Sequence, residues 1–566
     1  MNKTRHSINN SDLLNHINND KSKNVASLPK CALVVSHNQF QKSILVSQMM
    51  EMGIVNIIQT SHLNEARAKL ENGNNIDLII FDYEIKKGDD TAQTMLEDLR
   101  SCGLISLSTI VIFFSSFGKH QLVSNAAEVG IDVFLLLPYS YKTLHERIFN
   151  AHKRRQEFRE IYENLEQEDF DGALELCLER YIHRAFGWLY AARIAAEIYI
   201  KKGEPKKAQE IYNSILSVNA TPWAKVGLGR SQAESGHFES AIKTLSDVIA
   251  ETPDQTDAYD VMGRAYFEMG EPSKALDIYR MAVKSTPTSV TRLQRLGFAS
   301  IHAGEIDYGI CILRKSVEVG AFSKMFDPRA FFLLAVNDMD NGDGRAINEC
   351  LKKLIAIMKI RPNDKRIERI FKFVEIIDHL NYDQKMTGRS KLDELLKEKL
   401  NNEFDHDSAS CLITLLSIFA EKKLDDELDM HHISEIGLRF AHSKFCSAWL
   451  STSALRHSPY SIEVGQSFSK VFKACQESMT IIVSQKNHAD GINVIMDFAS
   501  RYKNIKAIET AEGMVNRYSS NLVNSHDIKA KINLLKINND PQERRHYPAN
   551  GYLRHPGGIS LPKKVR

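Results

Sequence analysis

The chain has 566 residues, 43% of them apolar and 25% charged, and its 73 Lys and Arg against 71 Asp and Glu leave a formal net charge of +2. Such a length is a prior for about three to four domains, and the composition is that of ordinary folded cores. The charge balance gives no global pull toward nucleic acid or an anionic membrane, and no apolar run reaches the roughly 20 residues that span a bilayer.

Residues 1–29 are polar and Asn-rich, with no apolar segment for export. They read as a disordered arm, and the chain as cytoplasmic. Eight cysteines stand singly, with no Cys-x-x-Cys pair. That spacing suggests neither a zinc site nor a redox motif, but small core residues in a reducing compartment.

Residues 30–155 alternate between short apolar runs and amphipathic stretches. Cys31–Val35, Asn56–Thr60, Ile76–Phe81, Thr109–Phe114 and Ile131–Leu137 have the Ile, Val, Leu and Phe content of buried parallel strands. Helical spacing lies between and after them, near 38–52, 62–72, 91–101, 118–128 and 140–153. Five strand–helix units predict a doubly wound, flavodoxin-like α/β domain with right-handed crossovers. Its functional groups belong at the carboxyl ends of the strands.

Those ends carry Asp82 after Ile79-Ile80-Phe81, Ser115 after Phe113-Phe114, and Leu137-Pro138 after Phe134. Over about a fifth of the chain the pattern resembles the receiver domain of bacterial two-component response regulators. The resemblance implies that Asp82 is the candidate phosphoacceptor, Ser115 the hydroxyl that senses a phosphoryl group, and Phe134 the aromatic that repacks with it. Three positions depart from the family pattern. Ser36 and His37 stand where the family has two acids for Mg²⁺, and Leu137 where it has Lys. A hydroxyl and an imidazole are poor substitutes for hard carboxylate ligands, and without the Lys the equatorial phosphoryl oxygens lose their neutralising charge. The domain is therefore expected to be a pseudo-receiver with a vestigial Asp82, weak Mg²⁺ binding at most and no other cofactor. Lys86 or Lys87 is a candidate substitute charge.

From 156 to 362 the pattern is helical and repeats. Tyr259, Met262-Gly263, Tyr266, Ala275, Tyr279, Ala282 and Pro287 resemble the tetratricopeptide consensus at matching spacings. The key small residue steps from Ala208 to Ala241, Ala275 and Gly309, by 33, 34 and 34 residues. Degenerate units lead to Ala173 and Ala346. The expected fold is an all-α superhelix of stacked hairpins. The family resemblance puts Arg193, Arg230 and Arg264, with Phe267 and Phe298 nearby, on groove-facing turns. They read either as a ladder for an acidic segment or as i,i+4 partners of Glu197, Glu234 and Glu268 on their own helices.

Residues 363–540 still read as helical, either as diverged repeats or as a separate bundle. His431, His432, His442 and His457 have no metal-ligand spacing. Residues 541–566 read as a basic, disordered tail. No phosphate loop, nucleophile elbow, zinc-protease motif or kinase signature occurs, so no enzymatic activity is expected. The whole resembles response regulators that join a receiver to tetratricopeptide repeats. It implies an adaptor of a histidine kinase or cognate regulator, with no membrane partner, no strong case for nucleic acid, and homodimerisation through the receiver open.

Overall fold

The computed structural model describes residues 28–538, apart from 72–75, 85, 88–89, 102–103, 118–130, 219–220, 324, 486, 520–521 and 523–524. Residues 1–27, the expected helix near 118–128 and the basic tail at 541–566 lie outside the described residues. The chain divides into two compact units, one up to Ala192 and one from Arg193 on.

In the first unit, β1 (Cys31–Val35), β2 (Asn56–Thr60), β3 (Leu78–Asp82), β4 (Ile110–Ser115) and β5 (Val133–Leu136) form one parallel sheet in the order β2-β1-β3-β4-β5. The central strands β1, β3 and β4 are buried on both faces, which is why they read as unbroken apolar runs, whereas the edge strand β2 is only partly buried. Ala32, Val34, Ile80, Ile112 and Phe114 pack with Leu45 and Met49 of α1 (Gln39–Glu51) and with Leu144 and Ile148 of α4 (Tyr141–Glu157). The alternate residues Leu33, Val35, Ile79, Phe81, Val111 and Phe113 are buried as well. Between β2 and β4 run α2 (Leu63–Glu71) and α3 (Ala92–Ser101). Asn38 caps α1 by accepting from the amides of Phe40 and Gln41. Arg155 at the end of α4 forks onto Asp132 at 2.8 and 2.9 Å. The compact unit continues past residue 155 through a helical hairpin, α5 (Arg159–Glu166) and α6 (Phe170–Ile182).

Further hairpins follow, beginning with α7 (Trp188–Lys201) and α8 (Pro205–Leu216), α9 (Pro222–Glu234) and α10 (Phe238–Glu251), and α11 (Thr256–Glu268) and α12 (Pro272–Ser285). Next come α13 (Val290–His302) and α14 (Ile306–Gly320), then α15 (Arg329–Asp340) and α16 (Gly344–Ile360). Close approach within a hairpin depends on a missing side chain. A Cβ on Gly229, Gly263 or Gly297 would lie 2.7, 2.5 or 2.7 Å from Leu245, Tyr279 or Leu313. Both sets of positions advance by 34 residues.

The turn inside each hairpin repeats more faithfully than the consensus residues do. Gly203, Gly236, Gly270, Gly304 and Gly342 all have φ between 68° and 89°. The next amide in each bonds back five residues, as in Glu204 to Tyr199, His237 to Gln232 and Glu271 to Tyr266. This is the Schellman closure, which favours glycine because other residues are strained there. The same closure recurs at Glu168, Asp383 and Lys423, with φ of 60°, 59° and 57° and the matching backbone bonds. Two more hairpins are thereby defined: α17 (Lys365–Asn381) with α18 (Lys385–Glu398), and α19 (His406–Glu421) with α20 (Asp429–Phe440). One apolar core runs from Phe267 to Val464 without a break. Residues 363–440 therefore continue the series of helical hairpins on the same core. The last helices, α23 (Ser467–Gln485), α24 (His488–Tyr502), α25 (Ile505–Arg517) and α26 (Ser525–Asn538), share a second core around Ile492, Ile495 and Ala511. Between the two sets lie α21 (Lys444–Ser453) and α22 (Ser458–Gly465).

Lys423→Gly is expected to raise the unfolding free energy by about 1 kcal/mol, read as a higher urea midpoint. A non-glycine residue in the left-handed region costs roughly 1–2 kcal/mol, of which glycine's extra chain entropy returns about half.

Candidate functional site

Strand register assembles the first site. Val35 pairs with Phe81, Asp82 with Phe114, and Ser115 with Leu136. The residue after β1 and the last residues of β3 and β4 thus meet at one edge. Ser36, fully buried, donates its hydroxyl to Asp82 Oδ2 at 2.9 Å. The Glu84 amide donates to Asp82 Oδ1 at 3.0 Å. Burial raises the Asp82 carboxyl above its ordinary range. The Ser36 and Glu84 hydrogen bonds pull it down, Glu84's charge pushes it up, and His37 pulls it down. Ser115 does not reach Asp82. It donates to Glu84 Oε1 at 2.8 Å, and the Ser116 amide donates to the same oxygen at 3.0 Å. Phe134 meets Tyr83 edge-on at 5.6 Å, and Tyr83 also touches Phe113. His37 is exposed, and its ring lies against His62 at 5.1 Å. The Leu137 amide donates to Ser115 O, and its side chain packs on the sheet core.

The donor set does not fit Mg²⁺. Beside Asp82 stand a Ser hydroxyl already donating to it and an exposed imidazole, while the Glu84 carboxylate is engaged by Ser115 and Ser116. A hard octahedral ion wants several free oxygens. Among the described residues, no group of three His, Cys, Asp or Glu could hold a metal. The side chains of Lys86 and Lys87 lie outside those described. Glu84 is absent from the sequence-derived candidates, although an acid two residues beyond a strand-end Asp was the available signal.

The repeat arginines need a correction. Arg230 and Arg264 do not form an open ladder: each forms an ion pair with an acid on the first helix of the preceding hairpin and also feels the charge of the acid four residues along its own helix, Glu234 or Glu268. Arg230 forks onto Glu197 at 2.7 and 2.8 Å, with both side chains about 95% buried or more. Arg264 meets Glu234 at 2.8 Å, and Arg295 continues the series onto Asp260 at 2.7 Å. A 33-residue step stacks equivalent helices side by side, so an acid and a base in successive units meet without sharing a helix. Arg193 lies over Trp223. Phe298 is fully buried beneath the Arg329 guanidinium at 3.9 Å. Phe267 is 2% exposed, stacks on Tyr279, and meets Phe445 at a tilt and Trp449 edge-on.

Phe445 and Trp449 belong to α21, which lies against the first helices α11, α13 and α19. Beside it, His406 is buried, and burial, His442 and Arg329 push its imidazole down to about 3. An unfolded imidazole protonates near its ordinary value of about 6.5. Below that pH the unfolded chain binds a proton that the fold refuses, so stability is lost as pH falls, by up to about 1.4 kcal/mol per unit. His302, also held low by burial and Arg329, adds in the same direction. Asp407, pushed up to about 6 by burial, opposes both. His406→Gln is expected to flatten the drop in urea midpoint between pH 7 and pH 5.

Residues 232–297 match the family described as Tetratricopeptide repeat. The match covers α10 to α12, with the end of α9 and the first part of α13, and the same Schellman turn recurs in the hairpins on either side. No curated protein matches the chain. Among solved structures, it is similar to MamA protein, at 22% identity over 29% of this chain and 89% of that one, with a TM-score of 0.25. A tetratricopeptide repeat protein from Parabacteroides merdae ATCC 43184 matches at 14% identity over 46% and 97%, with a TM-score of 0.33. Yeast Tom70 matches at 9% identity over 69% and 96%, with a TM-score of 0.26. Among the described residues, no helix is long and apolar enough to cross a membrane.

Proposed function

We propose that the protein is a non-enzymatic adaptor of a bacterial two-component pathway. Its first domain acts as a pseudo-receiver that docks a histidine kinase or cognate regulator in the cytoplasm, and its repeats hold a protein partner. The observation that carries this reading is the strand-end Asp82, engaged by the Ser36 hydroxyl, with the neighbouring Glu84 carboxylate taken up by Ser115 and Ser116. Phosphoryl transfer depends on charge neutralisation at the transferred group. A receiver-like surface without that chemistry would occupy a kinase without draining its phosphoryl groups, and so inhibit transfer. Chemical cross-linking followed by pull-down from a native cytoplasm tests this. Recovery of a kinase or regulator by the full chain, lost on deleting residues 1–155, is the expected result. Recovery of neither sinks the reading.

A second reading rests on the placement of Asp82 at the end of β3, two residues before the carboxylate that engages Ser115. In it, Asp82 accepts a phosphoryl group and the repeats are a switched output. Incubation with a small phosphodonor and Mg²⁺, followed by intact mass, separates the two. A gain of about 80 Da that disappears in Asp82→Ala favours the switch.

A further inference from the structure

The eight hairpins from α5 to α20 each close through a left-handed turn, and those from α9 to α20 stack on one another. The helix α21 does not close through such a turn. It is ten residues long, bounded by the short links 441–443 and 454–457; besides pairing with α22 and lying along α19, it reaches the first helices α11 and α13 of distant hairpins. Its contacts have the composition of a ligand in a groove. Phe445 and Trp449, four residues apart and so on one face, pack against Phe267, one tilted and one edge-on. Trp449 also meets His302 and lies 6.0 Å from the Arg329 guanidinium. Thr452 bonds His302, and Ser453 bonds Ser410 at 2.7 Å. At the rim, Arg456 bridges Asp340 and Glu421 at 3.1 and 3.0 Å, with all three side chains between 28% and 48% exposed.

We infer that Lys444–Ser453 is an internal occupant of the repeat groove, and that the partner of the repeats is a helix of the same chemistry that takes its place. That helix carries two aromatic residues one turn apart and an Arg two turns after the second. The inference rests on the reading of the repeats as a protein-binding scaffold, and it names the surface and the partner class. The groove recognises the aromatic pair through Phe267 and His302, and the basic residue through Asp340 and Glu421. Because the internal helix competes for the same surface, affinity for an outside helix is reduced by the fraction of molecules in which the groove is closed. The rim bridge is exposed, so its hold weakens with salt.

A fluorescent peptide spanning residues 441–456 tests this on the full chain, without any kinase. Arg456→Glu opposes two acids at the rim and frees the groove more often. The peptide is expected to bind this variant about tenfold more tightly than it binds the wild type. A peptide carrying Phe445→Ala and Trp449→Ala is expected to bind neither. Hydrogen exchange on the unmodified protein gives a second readout: amides of 445–452 open before those of α13, although both are buried. Equal uptake of the peptide by variant and wild type overturns the inference, and so does exchange of 445–452 only together with α13. Either result leaves the pull-down on the first domain standing, so the two readings fail separately.

Discussion

Arg230→Ala is expected to lower the unfolding free energy by about 3–5 kcal/mol, read as a fall in urea midpoint with little change in slope. The guanidinium is bound in a fork to Glu197, and both groups are almost wholly buried between the first helices of adjacent hairpins. Truncation leaves the Glu197 carboxylate in a dry interface with no partner of its own strength. That penalty, rather than the worth of the pair, sets the size of the effect. The double change Glu197→Leu with Arg230→Met removes both charges and keeps most of the volume. It is expected to sit within about 1 kcal/mol of the wild type or above it, since a buried pair rarely outperforms well-packed apolar groups. A double variant as unstable as the single one would mean that the pair orders the hairpins beyond neutralising itself.

Phe373→Ala is expected to cost about 3–5 kcal/mol as well, for a different reason. The ring is fully buried in α17 and packs against Phe332 of α15. Removing it leaves a cavity that the flanking helices cannot close, because both are held by their own hairpin turns. Residue 373 lies beyond the last recognisable repeat consensus, yet it belongs to the core that begins at Phe267. The loss should therefore shift the unfolding of α11–α16 together with that of α17–α20. An independent bundle would instead show a second transition that moves alone.

The sequence exposed the sheet well and the third region poorly, for identifiable reasons. Strands buried on both faces leave continuous apolar runs, and all five were visible within two or three residues of their ends. Thr109 looked like the start of β4 because it is β-branched, but its hydroxyl bonds Ile76 O just before the strand begins. Asp82, Ser36 and Ser115 were legible because parallel register gathers the carboxyl ends of strands. The role of Glu84 was not, since a turn residue reveals its direction only in three dimensions. The later hairpins escaped because Asp383 and Lys423 occupy turn positions where the earlier repeats use glycine, and because the steps between turns lengthen to 38, 41 and 40 residues (304 to 342 to 383 to 423). The arginine series was legible by residue type, but its partners in the preceding hairpin were not. Spacing within one helix is written in the sequence; adjacency between residues 33 apart is set by stacking. An aromatic pair at i,i+4 in α21 read simply as core helix, with nothing local to show where it would land.

A chain of stacked hairpins behaves as a spring, because each unit touches only the next and the stack can stretch or peel from an end. Here His302 bonds Thr452 across 150 residues, and Arg456 reaches Asp340 across 116. These contacts tie units that a spring would keep apart, turning the stretch between α13 and α22 into a closed loop. Pulled from its ends, that stretch should resist as one block until the ties give way, whereas the untied hairpins before it extend one at a time.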